Sequence, residues 1–200
     1  MKLYITNKDE SLTLFKNPVL NHLSHIHPMI PVVAFLPVII YNLYFAFSFT
    51  GYYFSWTLFA CGIFVWTFIE YIMHRFVFHF HPKNTFLKKI HYLTHGIHHD
   101  YPSDSTRLVM PLPISIPLAF LFYLVHSYFL GTWTQATYAG FVFGYLCYDM
   151  IHFATHHWKM RSPIGKYLRR KHLEHHFATP EKTFGVTSPL WDFIFFTHKK

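Results

Sequence analysis

Charged side chains are scarce in this chain: they make up 13% of its 200 residues. No Asp, Glu, Lys or Arg occurs between Lys16 and Glu70, or between Arg107 and Asp149. A bilayer-crossing helix needs about 20 apolar residues, so each uncharged stretch has room for two such helices. Too few polar residues lie outside these stretches to cover them as buried helices of a soluble protein. The sequence therefore predicts an all-α integral membrane protein.

Glycine is also infrequent, and in each uncharged stretch one glycine stands where it divides the stretch into two parts of about spanning length. We expect turns at Gly51 and Gly131 and four transmembrane helices. The predicted spans are residues 29–50, 52–73, 109–130 and 133–153. Residues 74–107 and 154–200 are left to form a cap on one side of the membrane, and the whole chain, 1–200, is expected to form one domain.

Only two cysteines occur, Cys61 and Cys147, and each lies inside an uncharged stretch. Their positions exclude a disulfide framework and a CxxC metal site. The chain also lacks a dinucleotide-binding glycine fingerprint and a CxxCH haem motif. A cleavable signal peptide is not expected, because the first apolar run begins too far from Met1 and lacks a small-residue cleavage pattern.

The positive charges are confined to one side of the predicted topology. All 17 Lys and Arg residues lie in the N-terminal segment, in residues 75–107 or after residue 158, and neither predicted turn contains one. The positive-inside rule therefore places the cap in the cytoplasm. The net charge of +8 is explained by this topology, and the charges form no groove-binding motif, so nucleic-acid binding is not expected.

Histidine, in contrast, is abundant, with 18 copies, and the pattern H-x-x-H-H occurs twice, in HGIHH and KHLEHH. Random placement at this frequency would give about 0.15 copies by template counting. Because positions i, i+3 and i+4 stack on one helical face, each motif is expected to bring three imidazoles together. Two further clusters, HRFVFH and HFATH, fall on the same cytoplasmic side. The ten candidate ligands, enough for two metal ions, are His74, His79, His95, His98, His99, His152, His156, His172, His175 and His176.

The residues around these clusters suggest supporting roles. Glu70, one helical turn before His74, is expected either to accept the second N–H of that imidazole or to reach the interface as an exposed carboxylate. His91 is a candidate for an additional ligand or a residue that orients one, because it lies one turn before His95. Five further histidines are not expected to bind metal: His22, His25, His27, His81 and His126.

Residues at the end of the fourth span suggest where substrate binds. An acid such as Asp149 is costly at the end of an apolar span unless it is used, so we expect it to support a ligand or face substrate. Tyr148 is a candidate hydrogen-bond donor to substrate, with a plain structural role as the alternative. Three prolines between residues 111 and 117 predict irregular backbone suited to a substrate-entry wall. GFVFG, at 140–144, predicts close helix packing, and the aromatic tail from residue 183 is expected to cover the site or line the interface.

Ligand type alone does not choose among Zn, Cu, Fe and Ni. The motifs HRFVFH, HGIHHDYPSDSTRLVMP, YDMIHFATHH, KHLEHHF and FGVTSPLWD, however, resemble those of the fatty acid hydroxylase superfamily of membrane di-metal enzymes. The similarity is greatest to the fatty acid (sphingolipid) 2-hydroxylases and extends over most of residues 12–197. The resemblance implies that the ten histidines bind two iron ions, which zinc can replace in a purified protein.

The resemblance further implies an O2-dependent monooxygenase that hydroxylates C-2 of the acyl chain of a ceramide or a related lipid. Residues 1–28 are too short for the cytochrome b5 domain that many eukaryotic members carry, so a separate donor such as cytochrome b5 or ferredoxin is expected to supply electrons. The expected location is a bacterial inner membrane or the endoplasmic reticulum. Alternatives are a sterol desaturase or methyl oxidase, a carotenoid hydroxylase and, outside enzymes, a membrane metal transporter.

Overall fold

The computed structural model describes residues 4–199, and within that part of the chain it contains helices and no strands. Two π-helical turns, Met73–Phe78 and Tyr92–Gly96, and a 3₁₀ turn, Gly131–Trp133, interrupt the α-helices. The α-helices are α1 (Pro18–Leu23), α2 (Met29–Thr50), α3 (Tyr52–Ile72), α4 (Thr85–His91), α5 (Ile97–Asp100), α6 (Leu112–Leu130), α7 (Thr134–His157), α8 (Pro163–Phe177) and α9 (Leu190–Ile194).

The four long helices agree closely with the predicted spans, and both glycine turns are confirmed. Gly51 separates α2 from α3 with φ of 74°, and Gly131 follows α6 with φ of 53°. These are backbone conformations that side chains with a Cβ rarely adopt. Helix α6 starts at Leu112, three residues after the start of the third predicted span and after Pro111 in extended backbone. Helix α7 continues to His157, past the end of the fourth predicted span, and carries His156.

Within residues 4–199, three helical segments are long and apolar enough to cross a membrane: Met29–Thr50, Tyr52–Phe78 and Leu112–His157. The third contains both α6 and α7, which fold back on each other. The Tyr138 hydroxyl donates to the Ala119 carbonyl at 2.9 Å, and the rings of Phe122 and Phe141 are 4.8 Å apart. The chain therefore has two apolar helical hairpins, which make it a membrane protein by length and composition.

Helix α7 lies at the centre of the bundle and packs against α2, α3 and α6. The GFVFG packing prediction is confirmed, because a Cβ at Gly140 would lie 1.9 Å from the Phe59 carbonyl oxygen of α3. Gly62 has the reciprocal position: a Cβ there would lie 2.0 Å from the Thr137 carbonyl oxygen of α7. The two backbones thus touch directly at a pair of glycines, of which the sequence analysis identified only one.

We expect Gly62→Ala to destabilise the bundle, because the new methyl group would meet backbone, which cannot rotate away. Overpacking of this kind costs about 1–3 kcal/mol, and a backbone contact places it at the upper end. Thermal unfolding in detergent, compared with Ala60→Val at an exposed position of α3, measures the effect. An equal stability of the two variants would show that α3 and α7 can separate without cost.

The segment before α2 is tied to the cap loop 101–110 by hydrogen bonds to a buried ion pair within that loop, and we call these contacts the strap. Arg107 Nη1 lies 3.0 Å from Asp104 Oδ2, and the two side chains are 6% and 3% exposed. Ser11 donates to the same Asp104 oxygen at 2.7 Å, while Arg107 Nη2 donates to the Leu12 carbonyl at 2.6 Å and to His25 Nε2 at 2.8 Å. Burial and the charge of Arg107 lower the pKa of His25, which keeps this imidazole a neutral acceptor.

We expect Arg107→Ala to lower stability by about 3 kcal/mol, because removing one partner of a buried pair leaves the other charge uncompensated. The remaining hydrogen bond from Ser11 to Asp104 limits the loss. Chemical unfolding in detergent gives the free energy, with Arg161→Ala at an exposed position as control. A change below about 0.5 kcal/mol, typical of surface substitutions, would mean that the strap contributes nothing.

Candidate metal centre

The ten predicted ligands converge in the cap, where four segments of chain meet. Seven of the imidazoles are buried and three are partly buried. His74 and His79 are five residues apart, a spacing that an α-helix does not align. The π-helical turn between them does, and the backbone N–H of His79 donates to the His74 carbonyl at 3.1 Å. This irregular turn is what makes HRFVFH a usable ligand pair.

The histidines form two groups of five, and within each group one nitrogen per residue lies within 4.8 Å of all the others. The first group contains His74, His79, His95, His99 and His175. The second group contains His98, His152, His156, His172 and His176. These distances let each group hold one metal ion, which gives a candidate two-metal centre.

Each H-x-x-H-H motif is divided between the two groups, so its three imidazoles lie close together, as expected, but do not all belong to one group. His95 and His99 join the first group, while His98 joins the second. In KHLEHH the division is reversed: His172 and His176 join the second group and His175 the first. Residues i and i+4 are nearly aligned along a helix, but i+3 and i+4 differ by about 100° in direction. Each motif therefore bridges the two groups.

Backbone carbonyls orient two imidazoles of the first group. His74 Nδ1 donates to the Phe184 carbonyl at 2.5 Å, and His175 Nδ1 donates to the Lys182 carbonyl at 2.8 Å. Because a carbonyl oxygen only accepts, the proton is on Nδ1, and Nε2 presents an unprotonated lone pair to the group. His74 Nε2 is buried and has no hydrogen-bond partner within residues 4–199. A metal ion would satisfy this atom, so these residues fit a bound metal ion.

Within the two groups, four pairs of Nε2 atoms face each other at 2.8 to 3.1 Å. The pairs are His95 with His99, His98 with His152, His156 with His172, and His79 with His175. Burial, with the neighbouring His175, lowers the pKa of His79 to about 3. Burial also lowers the pKa of His175 to about 4. Both imidazoles are therefore neutral at physiological pH, the form that binds metal.

Glu70 does not accept a hydrogen bond from His74, because the Phe184 carbonyl takes that position. The exposed-carboxylate alternative is also wrong, since Glu70 is only 3% exposed. Its carboxylate accepts hydrogen bonds from Val186 N at 2.7 Å, Thr187 N at 2.9 Å and the Thr187 hydroxyl. Glu70 thus anchors residues 184–187, which we call the tail loop.

A second buried carboxylate, Asp192, holds the other end of the tail loop by accepting from Phe184 N and Gly185 N, each at 2.9 Å. The loop places the Phe184 ring 5.4 to 5.7 Å from the rings of His74, His79 and His175. The aromatic tail therefore covers the first group, as one of the two expectations for it stated. The sequence analysis missed Asp192, although FGVTSPLWD contained it.

An apolar cavity runs between α3, α6 and α7 towards the second group. Tyr148 lines the cavity, and its ring stacks on His152 with centroids 5.6 Å apart. Met110 and Ser115, from the proline-rich start of α6, also line the cavity. Asp149 is buried, but it lies beside Tyr145 and the backbone of Met110 rather than beside an imidazole. Tyr148 thus lies between the cavity and the second group. Phe78, which also lines the cavity, stacks on His95 of the first group with ring centroids 5.0 Å apart.

The other histidines lie outside both groups. His91, the candidate additional ligand, is not brought to either one. His126 donates from Nδ1 to the Phe122 carbonyl at 2.7 Å and packs against Phe141, as expected for a packing role. His81 is exposed and lies 3.8 Å from Glu181. The structure thus selects the ten predicted residues out of 18 histidines.

Comparison with known proteins identifies relatives of the whole histidine-bearing region. Residues 59–197 match the profile of the family described as "Fatty acid hydroxylase". The chain is 44% identical over 170 residues to the ceramide very long chain fatty acid hydroxylase SCS7 of Saccharomyces cerevisiae, covering 83% of this chain and 44% of that protein. It is 42% identical over 137 residues to a dihydroceramide fatty acyl 2-hydroxylase of Arabidopsis thaliana, covering 68% of this chain and 58% of that protein.

The fold agrees with a solved structure of full length scs7p in which only the hydroxylase domain is visible. The TM-score is 0.89 at 41% identity, over 94% of this chain and 72% of that one. The chain spans only about half the length of the yeast and plant relatives.

Proposed function

The chain belongs to the fatty acid hydroxylase family, and from this premise we propose that it hydroxylates C-2 of the fatty acyl chain of a ceramide or related lipid. One observation carries the proposal: two groups of five histidines adjoin an apolar cavity through Tyr148 and Phe78, which line it and stack on His152 and His95. Imidazole nitrogens provide the metal sites, and the cavity offers an apolar surface for an acyl chain.

We further propose that each group binds one iron, with zinc able to occupy the same positions in a purified protein. Imidazole suits iron and zinc alike, so the choice of iron rests on the oxidative chemistry. When bound, a pair of irons supplies the capacity to activate O2 and oxidise an unactivated C–H bond. The electrons come from a separate donor of the cytochrome b5 or ferredoxin kind.

The protein's own residues bind and orient the substrate. The cavity walls, with side chains such as Trp66, Phe122 and Val142, exclude water from the acyl chain. We propose that the Tyr148 hydroxyl donates a hydrogen bond to the acyl carbonyl, which would hold C-2 against the histidine groups. Asp149, one residue on, supports this end of α7 through its neighbour Tyr145.

The two apolar hairpins are proposed to provide four membrane spans, α2, α3, α6 and α7. Both hairpin turns lack Lys and Arg, which by the positive-inside rule puts the turns outside and the histidine groups on the cytoplasmic side. This topology suits either a bacterial inner membrane or the endoplasmic reticulum. Residues 1–200 are proposed to act as a single domain, since the strap from Ser11 to Asp104 joins the first segment to the cap.

Mass spectrometry of lipids from a ceramide-containing host, with and without the protein, tests the function. We expect 2-hydroxy acyl ceramides only when the protein is present, and none with a variant that lacks His98. Hydroxylated sterols or carotenoids would instead identify the alternative enzymes. Absence of any 2-hydroxy species from a protein that retains two irons would reject the proposed substrate.

A metal transporter remains the non-enzyme alternative, and the distribution of histidines argues against it. A transport path needs ionisable groups along the membrane interior. Beyond the two groups, Glu70, Asp149 and His157 lie towards the cap ends of α3 and α7. Farther from the cap, the long helices described here offer His126, whose Nδ1 is already bonded within its own helix. Two ions per chain that persist through dialysis would agree with an enzyme, while loose and variable loading would agree with transport.

A further inference from the structure

A basic groove lies on the outer face of the cap, beside α8. Its volume is about 580 Å³, within the range of roughly 300–1,000 Å³ typical of ligand sites. Its lining residues are Lys159, Met160, Lys166, Arg169, Arg170, Leu173, Glu174, Phe177 and Ala178. Glu174 is the single acid among them and is already paired, 3.1 Å from Lys171 and 3.9 Å from Arg170. The groove therefore presents a surplus of positive charge to anything that enters it.

The groove and the second histidine group lie on opposite sides of one helix. Helix α8 carries His172, His175 and His176 on its buried face, and a helix with its side chains is about 10 Å across. Phe177 connects the two faces: it lines the groove, and its ring centroid is 6.0 Å from that of His176. A redox centre held in the groove would thus be separated from a metal-binding imidazole by a single aromatic contact.

We propose that this groove docks an acidic one-electron carrier protein. The inference rests on the proposed function, because hydroxylation consumes reducing equivalents: the C–H substrate, O2, two electrons and two protons give the alcohol and water. The carrier is oxidised by one electron at each of two visits. Complementary charge raises the rate of such encounters by 10- to about 1,000-fold at low salt.

An acidic lipid headgroup is the competing occupant of a basic surface, and two observations favour the carrier. The cations surround a depression, whereas a bilayer presents a flat surface that cannot follow it. The groove also borders a histidine of the second group through Phe177, which has no purpose in lipid binding. Lys88 and Lys89 on α4 are exposed basic residues that do not line the groove. They provide the matched control.

The test uses the iron-loaded full chain in nanodiscs of neutral phosphatidylcholine. Stopped-flow absorbance follows its reduction by two acidic probes, a soluble cytochrome b5 haem domain and a ferredoxin. For Lys159→Glu/Lys166→Glu we expect the second-order rate constant to fall at least about tenfold at low salt for at least one carrier, and the difference to vanish at high salt. Lys88→Glu/Lys89→Glu should match the unaltered protein, and both variants should keep their iron and their reduction by dithionite.

Equal rates for the groove variant and the unaltered protein, or an equal loss in the α4 variant, would overturn the proposal. So would reduction by neither carrier, or a defect confined to discs that contain anionic lipid, which would assign the groove to the membrane. A failure of the proposed function is a separate result: it would appear as no 2-hydroxy product from dithionite-reduced protein, whatever the carriers do.

Discussion

Alanine at His98 or at His175 is expected to reduce hydroxylation below detection, and the two substitutions should remove different metal ions. His175 belongs to the first histidine group and His98 to the second, although each lies in an H-x-x-H-H motif that serves both. In each variant the affected group would keep four imidazoles, but it would lose a neutral ligand and its fifth position would open to solvent. Elemental analysis after dialysis against a chelator should therefore give close to one iron per chain for either variant, against two for the unaltered protein.

Iron spectroscopy separates the two variants, since the iron that remains should have a different environment in each. His22→Ala, at an exposed histidine outside both groups, is the control and should keep both irons and full activity. The division into two groups would be wrong if the two variants retained the same iron. It would also be wrong if either variant retained both irons and normal turnover.

The second large effect is expected at Glu70, which touches no imidazole but positions one. It holds the tail loop, and the loop in turn presents the Phe184 carbonyl to His74 Nδ1. Removing a group that orients a metal-binding histidine costs about 10- to 100-fold in metal affinity or activity. We expect Glu70→Ala to weaken iron binding in the first group by this amount and to leave the second group unchanged.

The rate of iron removal by a chelator distinguishes this positioning role from a general loss of structure. In Glu70→Ala one iron should leave faster and the other at the original rate, and limited proteolysis should cut the tail loop more readily. Glu70→Gln should recover part of the effect, because its amide oxygen can still accept from Val186 N. Glu181→Ala, at an exposed acid of the same cap, is the control. Equal acceleration for both irons would show that Glu70 supports the fold as a whole.

The two predictions depend on contacts of different kinds, and only one kind was visible in the sequence. The ten histidines that converge in the cap could be named from the sequence, because histidine clusters at helical spacing are local patterns and chance does not produce two copies of H-x-x-H-H. The partners of Glu70 are Val186 and Thr187, which lie 116 and 117 residues further along the chain. Local spacing favoured His74, one turn away, and no local pattern could show that a distant loop would take its place.

The same distinction applies to packing. GFVFG predicted a close approach at Gly140, because small residues four apart are a known packing pattern. Gly62, with Phe64 and Val65 nearby and no second glycine at that spacing, carried no such signal. Its importance comes from the Thr137 carbonyl that α7 places against it. The strap from Arg107 to Leu12 and His25 was missed for a similar reason, since its members are separated by more than 80 residues.

The sequence by itself determined that the chain builds long apolar helices, where they turn, and which histidines can bind metal. Those properties follow from hydropathy, glycine's access to positive φ and helical periodicity, all of which act over a few neighbouring residues. Tertiary structure alone decided how the histidines divide into two groups, which carbonyls fix their protons, and which carboxylates hold the covering loop. The direction in which a histidine leaves its helix decides its group only when another helix supplies the other imidazoles of that group. Those helices come from parts of the chain that lie far apart in the sequence.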